Sequence, residues 1–376
     1  DAEVLQAMLP YMETHYGNAS SLQHALGRAA NQALTQVRKQ VAASLAVAEK
    51  EIFFNSGATE AINTVLKGIF TNYGRKGKHI ITCKTEHKAV LSCCEALEKL
   101  GAEITYLPVN SAGQINLADL ESSIRADSIL VCLMAANNET GLCHPLKEIA
   151  EICNKKEVLY FCDATQLVGK APLNLNEIPI DILCFSAHKF HGPQAVGALF
   201  IRRKRKPIQV ATLINGGSQE GGFRAGTYPV AALVGLGKAV EIAGFTKLDS
   251  NLRDYLEQEI LKHIPETAVH ASVAPRLANT ANIHIKHVPA ALLMSKLPDI
   301  AVASGSACIS GDRDPSHVLL AMHCSPEEAL CSIRFSLSKF TTKAEIDLAI
   351  VAISQAVHTI RQESQVWQMY KGGLID

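Results

Sequence analysis

Between about residues 50 and 205 two apolar patterns alternate along the chain. Short, continuously apolar runs occur at "HIITCKT" (79–85), "EITYLPV" (103–109), "SILVCLMA" (128–135), "VLYFCDA" (158–164), "DILCFSA" (181–187) and "GALFIRR" (197–203). Apolar residues at successive rather than alternate positions are what strands covered on both faces carry. Segments of helical periodicity separate them, including "ATEAINTVLKGIF", "KAVLSCCEALEKL" and "PLKEIAEICNKK". Strand and helix in alternation predict an α/β fold with a mostly parallel sheet.

The C-terminal third has a different texture. Strand-like "ANIHIKHV", "IAVASGSAC" and "SIRFSLS" mix with a long helix in "TTKAEIDLAIVAISQAVHTIRQES". Thr342 and Glu345 have capping-box spacing at its start. Ile346, Ile350, Ile353, Val357 and Ile360 follow at steps of four and three, forming one apolar stripe. The pattern predicts a large α/β domain over 16–245 and a smaller α+β domain from 1–15 and 246–376, with the boundary within 235–260.

Composition narrows the function. With 36 basic and 36 acidic residues, neither nucleic acid nor an anionic membrane is expected as a direct partner. The one basic run, "RRKRK" at 202–206, follows a strand and is expected to be a solvated turn. No apolar run approaches the ~18 residues of a membrane span. The N-terminal "DAEVLQAMLPYMETHYGN" lacks the basic-then-apolar order of a secretory signal. Eleven cysteines, without C-x-x-C spacing, predict free thiols in a reducing compartment, hence the cytoplasm. Cys93 and Cys94, within a helical pattern, are expected to pack.

In an open α/β sheet, ligands bind beyond the carboxyl ends of the strands. Those ends are polar here. Asp163, Thr165 and Gln166 follow one strand, and Ser186, His188 and Lys189 follow the next, in "FSAHKFHGP". "NSGATE" precedes the helix at 59, a turn suited to holding phosphate by backbone amides. "NNETG" and "TEHK" end two further strands. Singly, each has an ordinary reading: a turn, an N-cap, a helix start, a lysine reaching into water. Together they meet the needs of pyridoxal phosphate: an amine for its aldehyde, an acid for its ring nitrogen, a flat group against the ring and donors for its phosphate. Lys189 is the candidate amine, Asp163 the acid and His87 the stacking group. Thr59, Ser186, His188 and the amides of Ala58 and Thr59 are the phosphate donors.

"SGATEAIN", "KTEHKAVL", "NNETG", "DATQLVGK", "SAHKFHGP", "RAGT", "ASGSACIS" and "SIRFSLSKFTT" occur in that order. Together they resemble the motifs of cysteine desulfurases of the NifS/IscS type, from residue 1 to about residue 371. The resemblance implies a fold-type I PLP-dependent transferase with a seven-stranded, mostly parallel sheet in its large domain, working as a homodimer on L-cysteine. It implies that Lys189 links the cofactor, Asp163 holds the ring nitrogen and His87 stacks on the ring and helps move protons. Asn138 and Gln166 match residues bonding the ring oxygen, and Ala58, Thr59, Ser186 and His188 match the phosphate cradle. Thr227 matches a phosphate ligand from the neighbouring subunit, and Arg334 the clamp on the substrate carboxylate.

Cys308, in the Gly/Ser/Asp-rich "ASGSACISGDRDPS", matches the cysteine that becomes a persulfide, which an iron–sulfur scaffold or a tRNA-thiolation relay would accept. No metal site is implied. Two rivals remain at this point: another enzyme of the same family, such as a selenocysteine lyase or aminotransferase, and a non-catalytic Cys/His metal-binding or scaffold protein. The chain also departs from the family. It begins after the usual opening strand and "SATT"-like turn, reads "SAHK" for the commoner "SGHK", and stops at "GGLID" where close relatives continue with a scaffold-docking tail.

Overall fold

In a computed structural model of the protein, which describes residues 1–245, 249–305 and 314–374, all six apolar runs form strands and a seventh joins them. They are β1 (Ile52–Asn55), β2 (His79–Cys83), β3 (Glu103–Leu107), β4 (Ser128–Cys132), β5 (Leu159–Asp163), β6 (Ile182–Ser186) and β7 (Gly197–Ile201). The sheet order is β1-β7-β6-β5-β4-β2-β3. From β3 to β6 every pairing is parallel. β7 runs antiparallel to both neighbours. Every residue of β2, β4, β6 and β7 is buried, which is why those runs carry no polar alternation. β1 escaped the sequence reading because "IFFN" is only four residues long, one of them half-buried.

Helices cover the sheet. From helix Ala58–Tyr73, Ile62, Leu66 and Ile69 pack with Leu130, Phe161 and Ile182 of the strands. Each such fully buried side chain contributes about 1.5–3 kcal/mol. The predicted helices over 88–100 and 145–156 are found as Lys88–Glu98 and Leu146–Lys155. The basic run divides: 203–206 are exposed, as a solvated turn requires. Arg202 instead turns inward and donates to the carbonyls of Leu175, Ile178 and Ile180, satisfying groups a loop would otherwise leave bare. Lys204 pairs with Asp181.

The chain divides into two compact units: 1–107, 116–136 and 144–247, and 108–115, 137–143 and 248–376. Residues 1–15 thus fall in the first unit, not with the C-terminal third as anticipated. The reason is that helix Ala2–Glu13 packs along helix Val230–Phe245. Nor did the sequence separate 108–115 and 137–143 from the large unit.

In the second unit, β8 (Thr267–Val269), β9 (Thr280–Ile285), β10 (Ala303–Ser304) and β11 (Ser332–Ser336) form an antiparallel sheet of order β10-β11-β9-β8. Helix Lys343–Glu363 begins with the predicted capping box between Thr342 and Glu345. Its isoleucine stripe packs on Ile283, Ile285, Ile333 and Phe335.

Candidate active site

Strand register gathers the candidate residues of the first unit. Asp163 ends β5 opposite Cys184 of β6. Two residues on, Ser186 ends β6 opposite Gly197 of β7, which also faces Asn55 at the end of β1. Asp163, Ser186 and the turn after Asn55 therefore occupy one edge of the sheet, at the carboxyl ends of parallel strands.

The turn is built tightly. Gly57 has φ 131° and ψ −178°, a conformation open only to glycine. Asn55 Oδ1 accepts from the Gly57 amide at 2.8 Å. The Ala58 amide, first in helix Ala58–Tyr73, donates to Ser186 Oγ at 2.8 Å. Since Ser186 Oγ accepts there, its own hydrogen is left to donate. Thr59 is exposed beside it. Below the turn, Arg224 Nε and Nη2 grip Glu60 at 2.9 and 3.0 Å. Burial alone would raise the Glu60 carboxyl, yet bonds from Arg224 and Ser56 hold it below its ordinary range.

Asp163 is 7% exposed. Its Oδ1 accepts from Thr165 N at 3.0 Å and Thr165 Oγ1 at 2.5 Å, fixing the carboxylate's direction. Past β6 the chain makes a short 3₁₀ turn, Ala187–Phe190, that carries His188 and Lys189, both exposed. Lys189 is thus no buried amine but one presented at the open edge. Burial, and then the charge of Lys189, push the His188 imidazole below its usual pKa. Gln166 is half-buried, with Lys170 Nζ on its Oε1 at 2.5 Å.

After β2, His87 caps helix Lys88–Glu98, its Nδ1 accepting from the Ala89 amide at 3.1 Å. The neutral ring then carries its proton on Nε2. Before it stands Glu86, which the sequence reading passed over. It is fully buried, with Oε1 accepting from Met134 N at 2.6 Å. Burial drives its carboxyl well above the usual range. The Met134 amide opposes that rise and the charge of Asp163 adds to it. A carboxylate directly before the candidate histidine was the available signal.

Thr227, also in the first unit, is exposed on a cavity of about 390 Å³ whose walls include Met8, Tyr11, Met12 and Tyr16. Asn138 and Arg334 belong to the second unit. There Arg334 Nη1 donates to the Asn138 carbonyl oxygen at 3.1 Å. Burial lowers the Arg334 pKa from its usual value while the charge of Glu139 opposes the fall. Cys308 lies outside the described residues. Burial pushes the Cys93 thiol up to about 11, and Cys94 is fully buried beside it, so both behave as packing residues. Among the described residues no group of three or more His, Cys, Asp or Glu is placed to hold a metal ion, and no helix is long and apolar enough to cross a membrane.

These residues fit pyridoxal phosphate. A glycine-only turn, a hydroxyl and a helix start suit a phosphate. A buried carboxylate with a fixed direction suits the ring nitrogen, and an exposed amine suits the aldehyde.

Comparison with known proteins points the same way. The family model described as aminotransferase class-V matches residues 1–348. Cysteine desulfurase IscS of Histophilus somni (strain 129Pt) is 44% identical over 381 residues, covering 100% of this chain and 94% of that protein. A solved structure titled NifS-like protein superposes with a TM-score of 0.87 at 35% identity, covering 96% of each chain. Another, titled SspA in complex with cysteine, gives a TM-score of 0.80 at 31% identity, covering 91% of this chain and 96% of the other.

Proposed function

We propose that this chain, which belongs to the aminotransferase class-V family, is a pyridoxal-phosphate-dependent cysteine desulfurase that converts L-cysteine to L-alanine and keeps the sulfur as a persulfide on Cys308. The observation that carries the reading is the shared sheet edge at the ends of β5 and β6. Asp163, Ser186 and the turn bearing Lys189 leave it on neighbouring strands, with Ser186 tied to the helix start. The relatives named as cysteine desulfurases support it.

When bound, pyridoxal phosphate supplies an electron-poor ring that stabilises negative charge at the substrate Cα. Asp163, oriented by Thr165, keeps the ring nitrogen protonated. Lys189 takes the Cα proton and returns it. The Thr59 amide and the Ser186 and His188 side chains would hold the phosphate, with the Ala58 amide, taken up by Ser186 Oγ, fixing that hydroxyl rather than reaching the phosphate itself. Gln166 and Asn138 serve the ring oxygen. His87, with its proton on Nε2, stacks on the ring and passes a proton. Arg334 takes the substrate carboxylate. The Cys308 thiolate attacks the substrate sulfur: an S–S bond forms, the Cβ–S bond breaks, and carbon keeps the electron pair and is protonated to the methyl of alanine.

The working form we propose is a cytoplasmic homodimer in which Thr227 reaches the partner's phosphate. Exposed Met12 and Tyr16 around the cavity that Thr227 lines support a covered face there. The persulfide would pass to an iron–sulfur scaffold or a tRNA-thiolation protein.

The test is to incubate the cofactor-loaded protein with L-cysteine and measure alanine and sulfide, with L-selenocysteine in parallel. Alanine from cysteine that is lost in Cys308→Ser supports the proposal. Turnover of selenocysteine alone, or Cys308→Ser turnover equal to wild type, defeats it. Mixing Lys189→Ala and Thr227→Ala subunits tests the dimer, since only a shared site loses or regains activity with subunit ratio.

A further inference from the structure

Within the second unit, Glu139 is 2% exposed, and its amide, carbonyl and one carboxylate oxygen are hydrogen-bonded. Its amide donates to Asn137 Oδ1 at 2.8 Å, and its carbonyl accepts from Asn282 Nδ2 at 3.2 Å. Its Oε2 accepts from Ser316 Oγ at 2.5 Å. Gly305 presses on the same oxygen: a Cβ there would stand 2.3 Å from Glu139 Oε2 and 2.6 Å from Ser316 Cβ. Residues 305 and 316 flank the stretch that carries Cys308, so its two flanks meet at one carboxylate.

The same residue adjoins the arginine. Asn138, next in the chain, gives its carbonyl to Arg334. Arg334 faces Asn282 across β11–β9 and Ala303 across β11–β10, and β10 leads directly to Gly305. A buried carboxylate is costly where an apolar side chain would pack as well, so a purely structural link between these segments does not explain a glutamate.

We propose that Glu139 is a positioning residue for sulfur transfer, its carboxylate joining Gly305 and Ser316 to the Asn138–Arg334 pair that receives the substrate. The inference rests on reading Cys308 as the sulfur acceptor and Arg334 as the carboxylate clamp. Glycine at 305 then follows from lack of room, and the Ser316 hydroxyl from the need for a donor.

The experiment uses the cofactor-loaded enzyme with Glu139→Gln, Ser316→Ala, their double variant and Ser316→Thr. Ser316→Ala removes a hydrogen bond to a charged group and Glu139→Gln removes the charge that strengthens it, and each is expected to lower kcat for alanine by roughly tenfold or more. KM should stay within about twofold and cofactor absorbance should not change, because the bond from Arg334 to the Asn138 carbonyl does not involve the Glu139 carboxylate. The double variant should be no slower than the slower single, since both changes act on the same bond. Ser316→Thr, which keeps the hydroxyl, should retain most activity even if Ser316→Ala folds poorly. In cofactor-free protein, alkylation of Cys308 by iodoacetamide should speed up by a similar factor in Glu139→Gln and Ser316→Ala. Losses that multiply in the double variant, a kcat within twofold of wild type, or unchanged alkylation would overturn the proposal. Cys308→Ser separates the two levels: full turnover there defeats the acceptor reading itself, whereas an inactive Cys308→Ser beside a normal Glu139→Gln defeats only this inference.

Discussion

Replacing Gly57 with alanine tests the proposed phosphate cradle at its tightest point. At φ 131° and ψ −178° an L-residue is strained by roughly 1–3 kcal/mol. The new methyl would also stand 3.0 Å from Ser186 Oγ, the oxygen that accepts from the Ala58 amide. Either the turn or the serine must shift. At the middle of that range, about 2 kcal/mol, the melting temperature of a unit of this size falls by about 4–8 °C. Weakening the Ala58–Ser186 bond, worth about 1 kcal/mol, should reduce cofactor affinity roughly fivefold. Thermal unfolding of the cofactor-free protein measures the first effect, and absorbance titration with pyridoxal phosphate the second. A Gly57→Ala protein that melts within about 1 °C of wild type and binds the cofactor equally well would refute the cradle as described.

Two further predictions concern stability. His144 is buried and burial pushes its pKa down to about 4; His270, also mainly by burial, is likewise near 4. Both lie below the ordinary value of about 6.5, so between those limits the unfolded chain binds more protons. Stability is therefore full above about pH 6.5 and falls as pH drops toward 4, by on the order of 3 kcal/mol for His144. Denaturant midpoints across that window should show the slope and His144→Gln should flatten it; equal slopes would contradict the assignment. Glu220, whose side chain is 1% exposed, takes Arg38 Nη1 and Nη2 at 2.9 and 2.6 Å and the Phe54 amide at 3.0 Å. Glu220→Ala should lose stability at the lower end of ~3–5 kcal/mol, because Arg38 keeps 22% of its side chain in water. A chemical-denaturation loss below about 1 kcal/mol would show the pair to be dispensable.

What the sequence made legible follows from range. The buried strands wrote themselves as unbroken apolar runs, and the capping box at Thr342 as a local spacing, because each feature is set by residues a few positions apart. The placement of Asp163 and Lys189 at strand ends was readable for the same reason. β1 was too short to register. Helix Ala2–Glu13 went to the wrong unit because its partner, Val230–Phe245, is distant in sequence. The roles of Glu60 and Glu139 were hidden alike. Glu139 meets Ser316 across 177 residues and Glu60 meets Arg224 across 164, and no local pattern announces such pairs. Inward-turned Arg202 looked like a member of a surface run until its three carbonyl partners were seen.

The most direct measurement is the mass of the peptide containing Cys308 after the cofactor-loaded protein meets L-cysteine, in wild type and in Lys189→Ala. The account predicts one added sulfur atom on that peptide in wild type, matched by alanine in solution, and neither in Lys189→Ala. Alanine released while the peptide keeps its original mass, or sulfur gained without Lys189, would contradict it.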